Sequence, residues 1–540
     1  MIKVTCLGAC AGVTGSLYLI RPPSGEEFLV DCGLFQGGRD AEKENLEDWG
    51  FIPSRIKKLV LTHAHVDHCG RIPKLAADGF SGKILATEAT VELCRILLLD
   101  SAHIQEMNAQ WHTRKNRRQA RSEVQPLYTV EQAEKSLPLF SSVPRDAMIP
   151  VVSGVRLRFR NAGHILGSSI AELFFDDEGE EVKLVFSGDL GKEHQLIVRD
   201  PYDIYSGDYV FMESTYGDRL HRSVADSKTE LLDCINYSYK HGQKVIIPAF
   251  AVERTQEIIY VLSEFHRQGK LPPMPVYLDS PLAIKATEIF RRFKDQFDAD
   301  AQKIMETGGD PLDLPGLTFT PSTAESIAIN EKSGPAIVLA GNGMCTAGRI
   351  KHHLKHNLWR PGASVVIVGF QAQGSTGRLI VEGASHVKIF GESVAVRARV
   401  ATIGGFSAHG DQNDLLGWLG KFENKPKVFL VHGESGAKQA LKDKIEQTLE
   451  LSVRIPGPGE ALAFSARELS VEKPGKATRQ AATREAMESI IAEMQEKLSK
   501  LQRELPDRWA RPKDGDHDLS RLADVAEELA AIADLKKGRA

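Results

Sequence analysis

The stretch Leu61-Thr-His-Ala-His-Val-Asp-His-Cys-Gly70 places His63, His65, Asp67 and His68 within six residues. Imidazole and carboxylate are the side chains that hold zinc and related divalent ions. Alternate residues of an extended chain share a face, so His63 and His65 can grip one ion. Asp67 and His68 lie past the expected turn and can face a second. Four such close neighbours seldom serve one ion, so the spacing points to two metals. A polar loop that happens to be rich in histidine is the bland alternative. Three histidines and an aspartate as HxHxDH at the end of an apolar run are far more specific than that.

The apolar run is Ile56-Lys-Lys-Leu-Val-Leu-Thr62, which reads as a buried strand. The motif then sits where a strand gives way to a loop, the usual place for a site in an α/β sheet. Upstream, Lys3–Gly8, Leu17–Ile20 and Glu27–Asp31 read as three strands, with Asp31 at the end of the third. Residues 71–145 read as mostly helical. Within them His103 reads as a packing or hydrogen-bonding residue, and Arg114 to Arg121 form a basic cluster beside Trp111. Downstream, Asn161-Ala-Gly-His-Ile-Leu-Gly-Ser-Ser169 presents His164 between glycines, which let backbone approach a site closely. Lys183-Leu-Val-Phe-Ser-Gly-Asp189 puts Asp189 past another strand end, and Tyr209-Val-Phe-Met-Glu213 does the same for Glu213.

Residues 224–395 alternate helical and strand patterns, the signature of a parallel sheet. Two glycine-rich loops follow strands there, at 341–348 and 369–378. In the second, Gly374, Ser375, Thr376 and Arg378 offer backbone N–H groups, hydroxyls and a cation, a set suited to phosphate. It is no Walker loop, since no GKS or GKT follows. Beyond this region, Phe406-Ser-Ala-His409 and Leu430-Val-His-Gly-Glu434 present His409 and His432 near strand ends. Half of a ligand set before the alternating region and the last ligand after it imply that one domain is inserted into another.

This combination resembles the β-CASP group of metallo-β-lactamase-fold nucleases, over about residues 1–460. HxHxDH, GHxxGS and SGD look like the lactamase metal motifs; Glu213 with Ser-Thr-Tyr-Gly217, Phe406–His409 and Leu430–Glu434 look like the group's acidic and histidine motifs. The fold so implied is α/β: an αββα sandwich over 1–212 and 396–460 with an α/β domain inserted at 213–395; residues 470–540 lie beyond the resemblance and read as a helical extension from their own spacing. The resemblance assigns His63, His65 and His164 to one ion and Asp67, His68 and His432 to the other, with Asp189 bridging; Asp31 orients the site without binding metal. It implies two divalent ions, zinc by expectation, and single-stranded RNA as substrate. Five neutral imidazoles and two carboxylates would leave the pair of ions net positive, which suits a phosphodiester. A hydroxide shared by two ions would attack phosphorus, leaving 5′-phosphate and 3′-hydroxyl ends. Asp67 counts with Glu213 and His409 among the catalytic groups. His409 is the candidate general acid, with Glu213 to hold it protonated.

Two other readings compete: a small-molecule hydrolase of the same fold, of lactonase or thioesterase type, and a non-catalytic RNA-binding subunit. The insertion with its phosphate-type loops argues against the first, and the complete ligand set against the second. At 540 residues the chain exceeds one ordinary core. A net charge of −4 excludes an overall positive field, so nucleic acid would need a local basic groove. Seven scattered cysteines fit a reducing cytoplasm rather than a disulfide framework. The start reads directly as a strand and not as a signal peptide, and no apolar run is long enough for a membrane span. Met487 to Leu501 and Leu519 to Ile532 carry two apolar stripes at helical spacing. They would pack on the same chain or join two chains in a homodimer.

Overall fold

The computed structural model describes residues 1–37, 39–117, 123–465 and 469–472. The two expected C-terminal helices, and Arg118 and Arg121 of the basic cluster after Trp111, lie outside the described residues. The described chain falls within one compact unit that ends at Pro474.

Alternation along short strands builds a two-sheet sandwich. In Phe28–Val30, Lys58–Val60 and Lys83–Ala86, the residues Phe28, Val30, Val60 and Leu85 face one core, while Leu29, Leu59 and Ile84 face another. That is the period-two rule of a strand buried on both faces. These strands belong to an eight-stranded sheet. Its order is Leu469–Glu472, Glu460–Phe464, Ile2–Gly8, Leu17–Arg21, Phe28–Val30, Lys58–Val60, Lys83–Ala86 and Phe140–Ser142. The second sheet has seven strands, in the order Val453–Arg454, Lys427–Leu430, Tyr209–Met212, Glu180–Phe186, Ser169–Asp177, Val155–Asn161 and Ile149–Val152. Phe159, Phe175, Leu184, Phe186, Phe211 and Phe429 of the second sheet share a core with Ile2, Ile20 and Phe28 of the first. Val185, Val210 and Met212 face outward, onto the helices Gln412–Leu419 and Ser435–Thr448. The result is the αββα arrangement, with helices outside both sheets.

A third sheet has six strands, all parallel: Leu317–Phe319, Val276–Asp279, Ala336–Ala340, Lys244–Pro248, Ser364–Ile367 and Arg399–Thr402. Ile337, Leu339, Val245 and Ile247 face one side and Ile246 and Val338 the other, so both faces are covered. The helix Pro281–Arg292 from this region packs on the long helix Glu88–Arg117, and Arg292 pairs with Glu92 at 2.8 Å.

Several details differ from the sequence reading. Residues 71–145 are not helical throughout: Lys83–Ala86 and Phe140–Ser142 are parallel strands. Strands of three or four residues are too short for alternation to show against the helical background. The strand Arg399–Thr402 joins the six-stranded sheet beyond the expected break at 395, and Glu460–Phe464 joins the first sheet beyond 460. Partners distant in sequence decide both memberships. Among the described residues, no helix is long and apolar enough to cross a membrane.

Candidate metal centre

Every side chain singled out as a metal ligand arrives at one place because the strands of both sandwich sheets end there. His63, His65, Asp67 and His68 follow the strand Lys58–Val60, Asp189 follows Glu180–Phe186, and His432 follows Lys427–Leu430. His164 sits on the loop between Val155–Asn161 and Ser169–Asp177. Gly163 and Gly167 frame it with φ of +65° and +83°. A Cβ at Gly167 would lie 2.7 Å from the Thr90 backbone nitrogen, so that turn is closed to other residues. Asp31 and His432 themselves adopt left-handed φ of +58° and +50°, the kind of local strain that functional sites hold.

The seven candidate ligands form two neighbouring groups, besides the approach of Glu213 to Asp189 and His432. His63, His65, His164 and Asp189 make one; Asp67, His68 and His432 make the other. In the first, His63 Nε2 and His164 Nε2 lie 3.2 and 3.1 Å from His65 Nδ1. Asp189 stands between the groups, with Oδ2 at 3.4 Å from His63 Nε2 and Oδ1 at 3.3 Å from His68 Nε2 and 3.5 Å from His432 Nδ1. His68 Nε2 and His432 Nε2 are 3.2 Å apart, and Asp67 Oδ2 is 3.5 Å from His432 Nε2.

Neighbours fix the rings. Asp31 Oδ2 lies 2.6 Å from His68 Nδ1, which leaves His68 Nε2 as the ligating atom. Asp31 also accepts from the Thr62 backbone N–H at 2.8 Å, which ties the two strand ends together. Thr215 Oγ1 lies 3.1 Å from His432 Nδ1, and Gln195 Nε2 donates to the His164 carbonyl at 3.0 Å. Glu253, at the start of the helix Arg254–Arg267, accepts from Leu166 N–H at 3.0 Å and so holds the His164 loop from the region of the third sheet. Sequence reasoning passed over Thr215, Gln195 and Glu253. Glu253 carried a weak signal, a carboxylate between a buried strand and a helix.

The donor set fits divalent cations. Burial lowers the pKa of His63 to about 3 and that of His65 to about 4, and burial holds His164 well below the usual histidine value. All three are therefore neutral imidazoles with lone pairs to give. Burial works against a charged Asp189, but His432, His68 and His63 more than offset it and hold its pKa well below the carboxylate range. Asp189 Oδ1 is buried and has no hydrogen-bond partner among the described residues, although four imidazoles surround the carboxylate. A buried charge lacking a hydrogen bond calls for a cation.

A second pair adjoins the cluster. His409 Nδ1 lies 3.0 and 3.2 Å from the two Glu213 oxygens and 4.0 Å from Asp189 Oδ2. Glu213 is fully buried, with Oε1 accepting from Leu190 N–H at 2.7 Å. Burial disfavours charge on His409, yet the Glu213 carboxylate outweighs it and raises the pKa to about 9. The pair opens onto a cleft of about 1620 Å³, lined on one side by His65, Asp67 and His164 and on the other by Arg254, Asn342 and Phe370. Of the four residues expected to hold phosphate, Ser375 lines this cleft and Gly374, Thr376 and Arg378 do not. Ser375 caps the helix Thr376–Val381, and that turn carries Arg378 onto Glu382 at 2.6 Å. His103 lines the cleft but belongs to neither ligand group.

Three family models match the chain: the metallo-beta-lactamase superfamily at 11–238, the Beta-Casp domain at 255–380, and the Zn-dependent metallo-hydrolase RNA specificity domain at 393–456. Ribonuclease TTHA0252 of Thermus thermophilus is 37% identical over 88% of this chain and 99% of its own length. The transcription termination factor FttA of Methanothermobacter thermautotrophicus is 30% identical over 84% of this chain and 70% of its own. The RNase J-like protein of Methanocaldococcus jannaschii is 28% identical over 86% of this chain and its full length. On these matches the chain belongs to the β-CASP family of metallo-β-lactamase-fold ribonucleases, hydrolytic nucleases that use divalent metal.

Proposed function

We propose that this protein hydrolyses single-stranded RNA with two divalent ions, zinc by the chemistry of the donors, and leaves 5′-phosphate and 3′-hydroxyl ends. The observation that carries the reading is the juxtaposition at Asp189: two groups of ligand atoms meet there, and the His409–Glu213 pair stands beside them. His63, His65, His164 and Asp189 would hold one ion, and Asp67, His68 and His432 with Asp189 the other. Bound ions would supply positive charge against the phosphate and acidity to a water.

The chain's own residues do the rest. With Nδ1 engaged by Glu213, His409 has Nε2 left to hand a proton to the departing sugar oxygen. Glu213 keeps that proton in place at neutral pH, because the imidazole pKa is raised to about 9. Asp31 and Thr215 keep two of the ligating rings in one orientation. Water rather than a 2′-hydroxyl is the nucleophile in this scheme, so no cyclic phosphate forms. Preference for RNA over DNA then depends on contacts to 2′-hydroxyls in the cleft. Ser375 is the member of its loop we retain as a phosphate contact.

A cleft of about 1620 Å³ is large for a lactonase or thioesterase substrate, since small-molecule pockets span about 300–1,000 Å³. The filled ligand positions speak against a non-catalytic subunit. Seven cysteines, all buried and free, support a reducing compartment such as the cytoplasm. We place the boundaries of the inserted domain near 213 and 402, where the chain enters and leaves the region of the six-stranded sheet. The test is incubation of purified protein with end-labelled RNA, with and without chelator. Chelator-sensitive cleavage leaving 5′-phosphate ends is expected; 2′,3′-cyclic ends, or cleavage indifferent to chelator, would overturn the scheme.

A further inference from the structure

The strand pair His386–Ile389 and Glu392–Ala395 is joined by a two-residue turn, Phe390-Gly391, with φ of +52° and +85°. Asparagine and glycine suit such a turn, because both central residues must be left-handed. A bulky aromatic residue there is a conformational outlier. Phe390 does not repay the strain by burial, since half of its surface is exposed. It lines the same cleft that holds His65 and His409.

Its surroundings are those of a ring held out for use. Lys351 and His352, on the helix Ile350–Asn357, lie against it: the His352 ring centroid is 4.6 Å away and the Lys351 Nζ is 4.8 Å from the ring centre. Lys351 makes no ion pair among the described residues, so its charge is available. Lys355, one turn further along the helix, pairs with Glu392 at 2.7 Å, which pins the hairpin and neutralises its carboxylate. Burial and neighbouring cations lower the pKa of His352, so at neutral pH it is a neutral ring. Met107 and Ile327, both more than half exposed, line the cleft as well. Apolar surface left open beside an unpaired ammonium is the composition of a platform for single-stranded nucleic acid: the ring stacks on a base, and the cation meets the adjoining phosphate.

We propose that Phe390, with His352 and Lys351, is a stacking subsite for an unpaired RNA base away from the scissile bond. The inference rests on the ribonuclease reading and goes beyond it by giving the cleft a second anchor. Duplex RNA presents no free base face and gains nothing from the platform. Strands too short to reach from the metal centre gain nothing either, so the subsite makes affinity depend on length.

The test uses the full chain and unstructured oligoribonucleotides of graded length, with single-turnover cleavage measured against enzyme concentration. Phe390→Asn keeps a residue that the turn favours and removes the ring; Phe390→Trp keeps a ring. For the longer strands, Phe390→Asn should raise the half-saturating concentration by roughly 5- to 150-fold, the range for stacking on one base. The maximal rate, and every constant for the shortest cleavable strand, should stay at the wild-type value, and Phe390→Trp should restore long-strand affinity. Lys351→Ala should flatten the salt dependence for long strands by about one phosphate contact. An equal shift for short and long strands, or no shift, would overturn the subsite while leaving the ribonuclease reading intact. Failure of the wild type to cut any RNA would overturn that reading, and the subsite with it.

Discussion

Asp189 and Asp279 are both fully buried carboxylates near strand ends, each beside histidine, and their surroundings differ in one decisive respect. Asp279, at the end of Val276–Asp279, receives a full complement of hydrogen bonds. Thr320 Oγ1 donates at 2.8 Å, Ser326 Oγ at 2.6 Å and Arg349 Nη1 at 2.7 Å, and His353 Nε2 lies at 2.7 Å. Arg349 also donates to the Thr320 and Pro321 carbonyls at 2.5 and 2.7 Å, so the carboxylate locks a loop onto the third sheet. Asp189 is ringed by imidazoles at 3.3–3.6 Å, yet its Oδ1 has no hydrogen-bond partner among the described residues. A carboxylate that the protein satisfies itself is part of the framework. One with an oxygen left without a hydrogen bond among imidazoles has a place for a cation. Hydrogen-bond completeness separates structure from chemistry here better than burial does, because both groups are equally buried.

Substitutions at the two positions should dissociate cleanly. Asp189→Asn is expected to abolish RNA cleavage, a larger loss than that of a proton donor alone, and to lower the metal content measured by elemental analysis. Wild-type metal content and activity in that variant would erase the distinction between the two carboxylates. His409→Ala should keep the metal and lose about 10²- to 10⁴-fold in single-turnover rate, the usual worth of a general acid. Loss of metal from His409→Ala would move His409 into the ligand set.

Asp279→Ala should do the reverse of Asp189→Asn. Breaking a buried, hydrogen-bonded pair costs about 3–5 kcal/mol, so urea unfolding should shift strongly while metal per folded chain stays unchanged. The smallest effect is a pH dependence. Burial opposes charge on Asp279, but hydrogen bonds from His353, Ser326, Thr320 and Arg349 win and lower its pKa to about 2, below the ordinary value for an aspartate. A depressed carboxylate contributes stability that is full above its unfolded pKa and is lost as pH falls through its folded one. The difference in unfolding free energy between wild type and Asp279→Asn should therefore be constant above about pH 4 and shrink towards pH 2. The part that titrates is on the order of 2 kcal/mol. A difference that does not change across that window would mean that the carboxylate gains nothing from its partners.

Much of this contrast was invisible in the sequence. Asp279 there was the last residue of an apolar run, and its donors come from residues 320, 326, 349 and 353, none of them in a recognisable pattern. Thr215 and Glu253 were passed over for the same reason: each matters through a partner far along the chain, His432 for one and the His164 loop for the other. Arg378 was singled out by composition, as a cation in a glycine-rich loop. The local turn that Ser375 caps aims it at Glu382 instead of the cleft. Short parallel strands such as Lys83–Ala86 carry too few residues to show a period, and only their neighbours make them strands.

What the sequence determined by itself was the inventory and the architecture. HxHxDH, His164, Asp189 and His432 each stand where an apolar run stops, and that is a local property, written in hydrophobic periodicity and small residues. The parallel insertion follows from the same periodicities, and the αββα sandwich from the family resemblance that these motifs carry. The tertiary structure alone decided which atoms meet. It set Asp189 between two groups of imidazoles without a hydrogen bond for Oδ1, put Glu213 against His409, and turned Phe390 outward beside Lys351. Periodicity encodes which face of an element is buried, but distances between side chains far apart in the chain depend on how several elements pack at once.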